Sequence, residues 1–230
     1  MGSATSDNFG YLRLLFNGIR DYFTGWFNPL SDGQCGFRCI SHALRGNQQG
    51  FVAMQNDLYT EITSNALYGR DASREDNTWY PYENFQQDLK RISFYDHTGC
   101  DPSHWMANED LFAFATIHNW AIVVIAKHMV GAPGTRQIPT WLGCATYLPL
   151  RANPGIRSPF DILVLLFTGN HWVRLRLQGD FPMPLIAFGW RERKDDSVFG
   201  WDTIYAERMA HWMEFFPPSD LDPNNPINVD

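Results

Sequence analysis

The sequence has few cysteines and no long apolar run. Four cysteines occur among 230 residues, and the longest apolar stretch, around 161–167, is far shorter than the roughly 20 residues that span a bilayer. These absences argue against a disulfide framework and a membrane span. The first residues also lack the basic and apolar regions of a secretory signal. We therefore expect an intracellular protein, cytoplasmic or nuclear, with reduced thiols.

Basic residues are also scarce, with 18 Lys and Arg against 25 Asp and Glu and a formal net charge of -7. This balance disfavours nucleic acid as a partner. The hydrophobic fraction of 44% and the aromatic fraction of 15% suffice for the core of one compact domain. We expect a monomer that needs no cofactor.

The apolar spacing divides the chain into three parts. Residues 1–30 are predicted to hold an amphipathic helix, over 8–23, and a linker, both packed on the domain. Residues 31–216 form the predicted domain. Residues 217–230 are rich in Pro, Asn and Asp, and we expect a disordered tail.

Within the domain, helical patterns come first and strand patterns later. Helices are predicted over 35–45, 51–67, 82–92, 107–117 and 199–215, and strands over 121–125, 141–148, 162–167 and 171–177. This order predicts an α+β fold whose sheet is covered by the N-terminal helices.

Cys35 stands where a glycine-containing turn enters the first predicted helix of the domain. The free N–H groups of a helix start stabilise a thiolate, which is the nucleophilic form of cysteine. Gly33 and Gly36 would let the backbone approach a substrate carbonyl, and the N–H groups of Gly33, Gln34 and Cys35 would form an oxyanion hole. A small buried residue at a helix start remains an equal alternative from these residues alone.

A nucleophilic cysteine needs a base, and seven histidines are present. His42 is about 10 Å along the helix from Cys35, too far for direct proton transfer. His171 follows the turn 168–170 and precedes an alternating strand, which would fix the imidazole at a strand edge. We select His171 as the base, and Trp172 beside it is expected to flank the cleft.

The segment 32–38, with sequence DGQCGFR, resembles the cysteine motif D-G-N-C-x-F-R of OTU cysteine proteases, with Gln34 in place of Asn. The segment 170–173, NHWV, resembles the histidine motif of the family. The segments 103–106, 146–151 and 190–209 resemble OTU-like domains of fungal and plant mobile-element proteins.

The resemblance implies a papain-like OTU fold, with a mainly antiparallel sheet flanked by helices. It also implies a thiol protease of the ubiquitin conjugation pathway, a deubiquitinase that removes ubiquitin or a ubiquitin-like protein from lysine. Cys35 would attack the carbonyl, His171 would transfer the proton, and Asp32 would support the oxyanion turn. Many members carry Asn or Asp two residues after the histidine, where this chain has Val173. Asn170, Asp32 or an acidic residue from elsewhere would then orient the ring, or the enzyme would work as a dyad.

Three alternatives stay open. Cys35, Cys39 and His42 have metal-ligand spacing, but no second pair supplies a fourth ligand, so we expect no metal. The same fold would serve as a catalytically weak or inactive ubiquitin-binding module. A protease that processes a polyprotein in cis would use the same two residues.

Overall fold

The fold was analysed in a computed structural model, which describes residues 11–68, 82–96, 98–126, 128–130, 138–140, 143–152 and 161–216. The strands are β1 (Phe23–Phe27), β2 (Ala121–Ala126), β3 (His128–Val130), β4 (Ile138–Thr140), β5 (Ala145–Tyr147), β6 (Ile162–Phe167) and β7 (Trp172–Leu177). The α-helices are α1 (Asn17–Arg20), α2 (Cys35–Arg45), α3 (Phe51–Ser64), α4 (Tyr82–Ile92), α5 (Asn108–His118), α6 (Trp190–Arg193), α7 (Trp201–Ile204) and α8 (Ala206–Phe215). Short 3-10 turns lie at Ala66–Tyr68, Pro102–His104 and Asp196–Val198.

The main sheet has five strands in the order β1-β7-β6-β2-β5. Only the β2–β6 pair in this sheet is parallel, and the other three pairs are antiparallel. A separate pair joins β3 to β4. Helix α2 packs on both α3 and β7. The predicted α+β fold, with a mainly antiparallel sheet and flanking helices, is therefore confirmed.

Helix α2 forms where the local sequence predicts it. It begins at Cys35 and ends before Gly46, whose φ of 72° lies in the left-handed region that favours glycine. Its first seven residues are all buried. Helix α3 is shorter than predicted, because the helix ends at Ser64 and a 3-10 turn follows.

The N-terminal segment differs from the prediction of one helix over 8–23. Among its described residues, the four-residue helix α1 is followed by β1, which pairs with β7 at the edge of the main sheet. The segment does pack on the domain, since Leu15 and Ile19 are buried. The aromatic and threonine residues of β1 favour a strand once β7 offers an unpaired edge.

The predicted C-terminal helix is divided into α7 and α8 at Tyr205. No helix among the described residues is long and apolar enough to cross a membrane. The predicted disordered tail, 217–230, lies outside the described residues, as does His97.

Candidate active site

The loop that leads into Cys35 has a backbone that only glycine adopts easily. Gly33 has a φ of 82°, in the left-handed region. A Cβ at this position would collide with the thiol of Cys100 and lie 2.8 Å from Nε1 of Trp105. Gly33 is therefore needed both for the turn and for the close approach of the 100–105 segment. Cys35 itself is buried, with 3% of its surface exposed.

Asp32 holds this turn together through its carboxylate. Its Oδ1 accepts a hydrogen bond from the N–H of Gln34 at 3.1 Å. The Nε of Arg38 lies 3.1 Å from Oδ1 and 3.0 Å from Oδ2, and Nη2 also donates to Oδ2. Arg38 in turn donates to the carbonyl of Gln48 at 3.0 Å. The carboxylate thus fixes the loop to the first turns of α2 and does not contact an imidazole.

The oxyanion hole differs from the prediction at Gln34. Its N–H already donates to Asp32, so it does not point to a substrate oxygen. The Gln34 side chain is fully buried, where it donates to the carbonyl of Phe94 at 3.1 Å and accepts from Gln55 at 3.3 Å. Of the three predicted donors, Gly33 and Cys35 remain predictions.

Gly36 also has a different role from the one predicted. A Cβ at this position would lie 2.7 Å from Cε of Met106, which is itself buried. The missing side chain therefore accommodates the packing of Met106 against α2. It does not open the backbone to a substrate.

The thiol of Cys35 lies against the backbone of β7. The N–H of Trp172 donates to Sγ at 3.4 Å. Burial raises the pKa of Cys35, and the charge of Asp32 raises it further, although hydrogen bonds from the N–H groups of Trp172 and Gly36 oppose this. The helix start was predicted to lower the pKa. Desolvation outweighs it, so the resting group is a neutral thiol.

His171 is held by Asn28, a residue that the sequence interpretation missed. Nε2 of His171 lies 2.7 Å from Oδ1 of Asn28. When this oxygen accepts, Nε2 carries the proton and Nδ1 is the basic nitrogen. Burial lowers the pKa of His171, and Asp32 partly opposes the shift. The ring is therefore neutral at neutral pH and able to accept a proton.

Asn170, the predicted orienting residue, does not hold the ring. It is exposed, and its Oδ1 lies 3.5 Å from the hydroxyl of Thr168. Val173, at the position where many family members carry Asn or Asp, is completely buried. The sequence placed Asn28 in the predicted linker that follows the helix over 8–23 and gave no signal of this role.

Trp172 was expected to flank the cleft, but the structure buries it, with 4% exposed. Its ring packs on Phe167 with centroids 4.6 Å apart. Trp105 is the half-buried aromatic residue beside the cysteine loop, where its Nε1 donates to the carbonyl of Cys100 at 3.3 Å.

The residues of the metal alternative do not meet. The Cys39 thiol is directed to the carbonyl of Trp172, at 3.7 Å. The His42 ring stacks on Phe27 and contacts Arg174. Within the described part of the chain, no group of three potential metal-ligating side chains is found.

Solved structures of OTU domains resemble this chain. The viral OTU protease of Dera Ghazi Khan virus shares 16% identity over 70% of this chain and 85% of its own, with a TM-score of 0.45. An OTU deubiquitinase of Wolbachia pipientis wMel, solved bound to ubiquitin, shares 14% identity over 68% of this chain and 97% of its own, with a TM-score of 0.42. An ovarian tumour domain in complex with ubiquitin shares 12% identity over 82% of this chain and 87% of its own, with a TM-score of 0.42.

No family model and no curated protein matches the chain. These solved structures are OTU domains, the family that the cysteine and histidine motifs of this chain resemble. The fungal and plant mobile-element subtype stays a prediction.

Proposed function

We propose that this chain is a cysteine-dependent deubiquitinase of the OTU type. The observation that carries the proposal is the arrangement of Cys35, His171 and Asn28. The thiol contacts the amide that directly follows His171, and the far nitrogen of that ring is held by Asn28. A nucleophile, a base and an orienting group are the parts that covalent catalysis by cysteine requires.

The reaction follows from this arrangement. Nδ1 of His171 takes the proton from Sγ of Cys35, and the thiolate attacks the carbonyl carbon of an isopeptide bond. The carbon–nitrogen bond breaks as the imidazolium returns the proton to the leaving lysine amine. His171 then takes a proton from water, which attacks the thioester and releases the carboxylate product, and the thiol is restored.

The pKa shifts fit a pair that ionises only during the reaction. Burial raises the pKa of Cys35 and lowers that of His171, so both are neutral at rest. A substrate carbonyl and its oxyanion donors would supply the polar surroundings that the thiolate lacks in the free protein. Ubiquitin is the proposed substrate because segment 32–38 resembles the OTU cysteine motif.

A second candidate function is a ubiquitin-binding module with little or no turnover. The observation in its favour is the burial of Cys35, with 3% exposed, together with the raised pKa of the thiol. So small an exposed surface gives a substrate carbonyl little access to this residue.

The test is reaction with ubiquitin whose C-terminus carries a propargyl amide, which forms a vinyl thioether with an active-site thiol. We expect one covalent adduct on the wild-type chain and none on Cys35→Ala, with both variants folded by circular dichroism. Parallel probes built on ubiquitin-like modifiers define the preferred modifier. Ubiquitin binding without an adduct would favour the binding module, and neither binding nor an adduct would contradict both candidates.

A further inference from the structure

His42 lies at the far end of α2 from Cys35, and its ring is held on two sides. One face stacks on Phe27, with centroids 3.6 Å apart and an interplanar angle of 4°. Its Nδ1 lies 3.0 Å from Nη1 of Arg174, which also donates to the His42 carbonyl at 3.3 Å. Since a guanidinium only donates, Nδ1 must accept, and this nitrogen carries no proton in the folded chain.

These contacts join three elements at the end of β1. Phe27 is the last residue of β1, and it is paired with Arg174 across the β1–β7 ladder. His42 on α2 therefore closes a cluster of three side chains, which we call the Phe27 clamp: Phe27, His42 and Arg174. Strand β1 is an edge strand, so α2 and β7 are what hold its end in place.

Asn28 follows the clamp directly in sequence. Its Oδ1 makes the 2.7 Å contact to Nε2 of His171, while its side chain is otherwise exposed. A displacement of Phe27 moves the Asn28 backbone with it, because one peptide bond links them. The contact that orients the base therefore depends on the clamp, and an error of about 1 Å in such a contact reduces the rate about a hundredfold.

We propose that His42 is a positioning residue, which acts through Phe27 and Asn28 to orient His171 for the proposed reaction. This inference rests on the proposed function. Helix α2 would then have two roles. It begins with the nucleophile Cys35, and its residue His42 helps to fix Asn28, which holds the base His171.

The charges around His42 make the clamp sensitive to acid. Burial lowers the pKa of His42, and the positive charges of Arg174 and Arg176 on β7 lower it further. Strand β1 carries no charged residue, Arg38 on α2 is paired with Asp32, and the carboxylate of Asp57 on α3 interacts with Arg45. Neutral His42 is thus the form of the folded chain. The clamp is intact near neutral pH and is lost only as the pH falls through the lowered pKa of His42, which lies below the ordinary value of 6.5.

The first test is steady-state hydrolysis of ubiquitin that carries a C-terminal fluorogenic amide. We expect His42→Ala to lower kcat about tenfold and to change KM less than twofold, because the ring orients catalysis and does not bind substrate. His42→Phe keeps an aromatic face for Phe27 and should recover most of kcat. Because phenylalanine does not titrate, its kcat should not show the further fall in acid that protonation of His42 causes in the wild type. His211→Gln on α8 is the matched histidine control and should leave both parameters unchanged.

A double-mutant cycle separates positioning from a merely structural role. If His42 acts through Asn28, the variant that combines His42→Ala with Asn28→Ala should have the same kcat as Asn28→Ala alone. Multiplicative losses in the double variant would overturn the proposal, as would an unchanged kcat in His42→Ala. If His42→Ala fails to fold, the cycle is run with His42→Gln, which loses the flat ring but keeps an acceptor for Arg174.

A readout without ubiquitin separates this inference from the proposed function. Alkylation of Cys35 by iodoacetamide, followed by peptide mass spectrometry, depends on the thiolate that His171 creates. We expect His42→Ala and Asn28→Ala to slow it to a similar degree, even if the wild type does not cleave ubiquitin. Equal alkylation rates in wild type and both variants would overturn the positioning role whatever the substrate is.

Discussion

The two sides of the candidate active site are held in different ways. The cysteine side is fixed by a buried network in which Asp32 receives hydrogen bonds from Gln34 and from two nitrogens of Arg38. On the histidine side, one 2.7 Å contact to the exposed Asn28 orients the ring. Damage to the cysteine side should therefore appear as lost stability, whereas damage to the histidine side should appear as lost turnover.

Replacement of the base should give the largest effect. We expect His171→Ala to lower kcat by about three orders of magnitude, because activation of the thiol and protonation of the leaving amine are both lost. Hydrolysis of the fluorogenic ubiquitin substrate measures it, with His211→Ala as the control. A kcat within about tenfold of wild type would transfer the role of base to another histidine.

The cysteine side is tested by Asp32→Asn. This change leaves the guanidinium of Arg38 buried without a compensating charge, which should lower the free energy of unfolding by about 3 kcal/mol. Urea denaturation measures the loss, and Asp21→Asn, at an exposed aspartate, is the control. A stable variant that loses only turnover would mean that the two sides do not differ as described.

Val173→Asn tests the position where many family members carry the orienting residue. Because Val173 is completely buried, an amide there should lower the free energy of unfolding by about 2 kcal/mol and should not raise kcat. Val173→Ala separates loss of packing from the added polar group. Faster hydrolysis by Val173→Asn would indicate that Asn28 does not orient the ring well.

Replacement of the two exposed asparagines should give the smallest effects on turnover and on the free energy of unfolding. We expect Asn28→Ala to lower kcat about tenfold, equivalent to about 1.4 kcal/mol, while the free energy of unfolding changes by less than about 0.5 kcal/mol. Asn170→Ala, also at an exposed position, should change neither kcat nor the free energy of unfolding. A lower kcat in Asn170→Ala, without a lower kcat in Asn28→Ala, would favour Asn170 as the orienting residue, as the sequence predicted.

The sequence predicted those parts of the site that depend on local patterns. A turn with Gly33 before an amphipathic run predicts a helix that begins at Cys35, and the glycine turn before the alternating residues of β7 predicts the position of His171. Both signals lie within a few residues of the group they describe. Burial raises the pKa of Cys35, whereas the helix start was expected to lower it. The residues that bury the thiol cannot be identified from the local sequence pattern.

Asn28 could not be found in this way because its role depends on a pairing between distant segments. Phe23 in strand β1 is paired with Leu177 in β7, which lies 154 residues further along the chain. Only Phe23 of β1 falls in the predicted helix over 8–23, and the rest of the strand falls in the predicted linker. Burial of Trp172 was missed although Phe167, its partner in the β6–β7 pair, lies only five residues before it in the sequence.

The hydrogen bond from Trp172 to the thiol gives the site a spectroscopic reporter. The amide proton of Trp172 points at Sγ of Cys35 over 3.4 Å. Its nuclear magnetic resonance signal should move when the sulfur gains or loses charge, and it should move again when the sulfur becomes a thioester or an alkylated product. A single backbone resonance would therefore follow the nucleophile through each state of the reaction without any label on the cysteine.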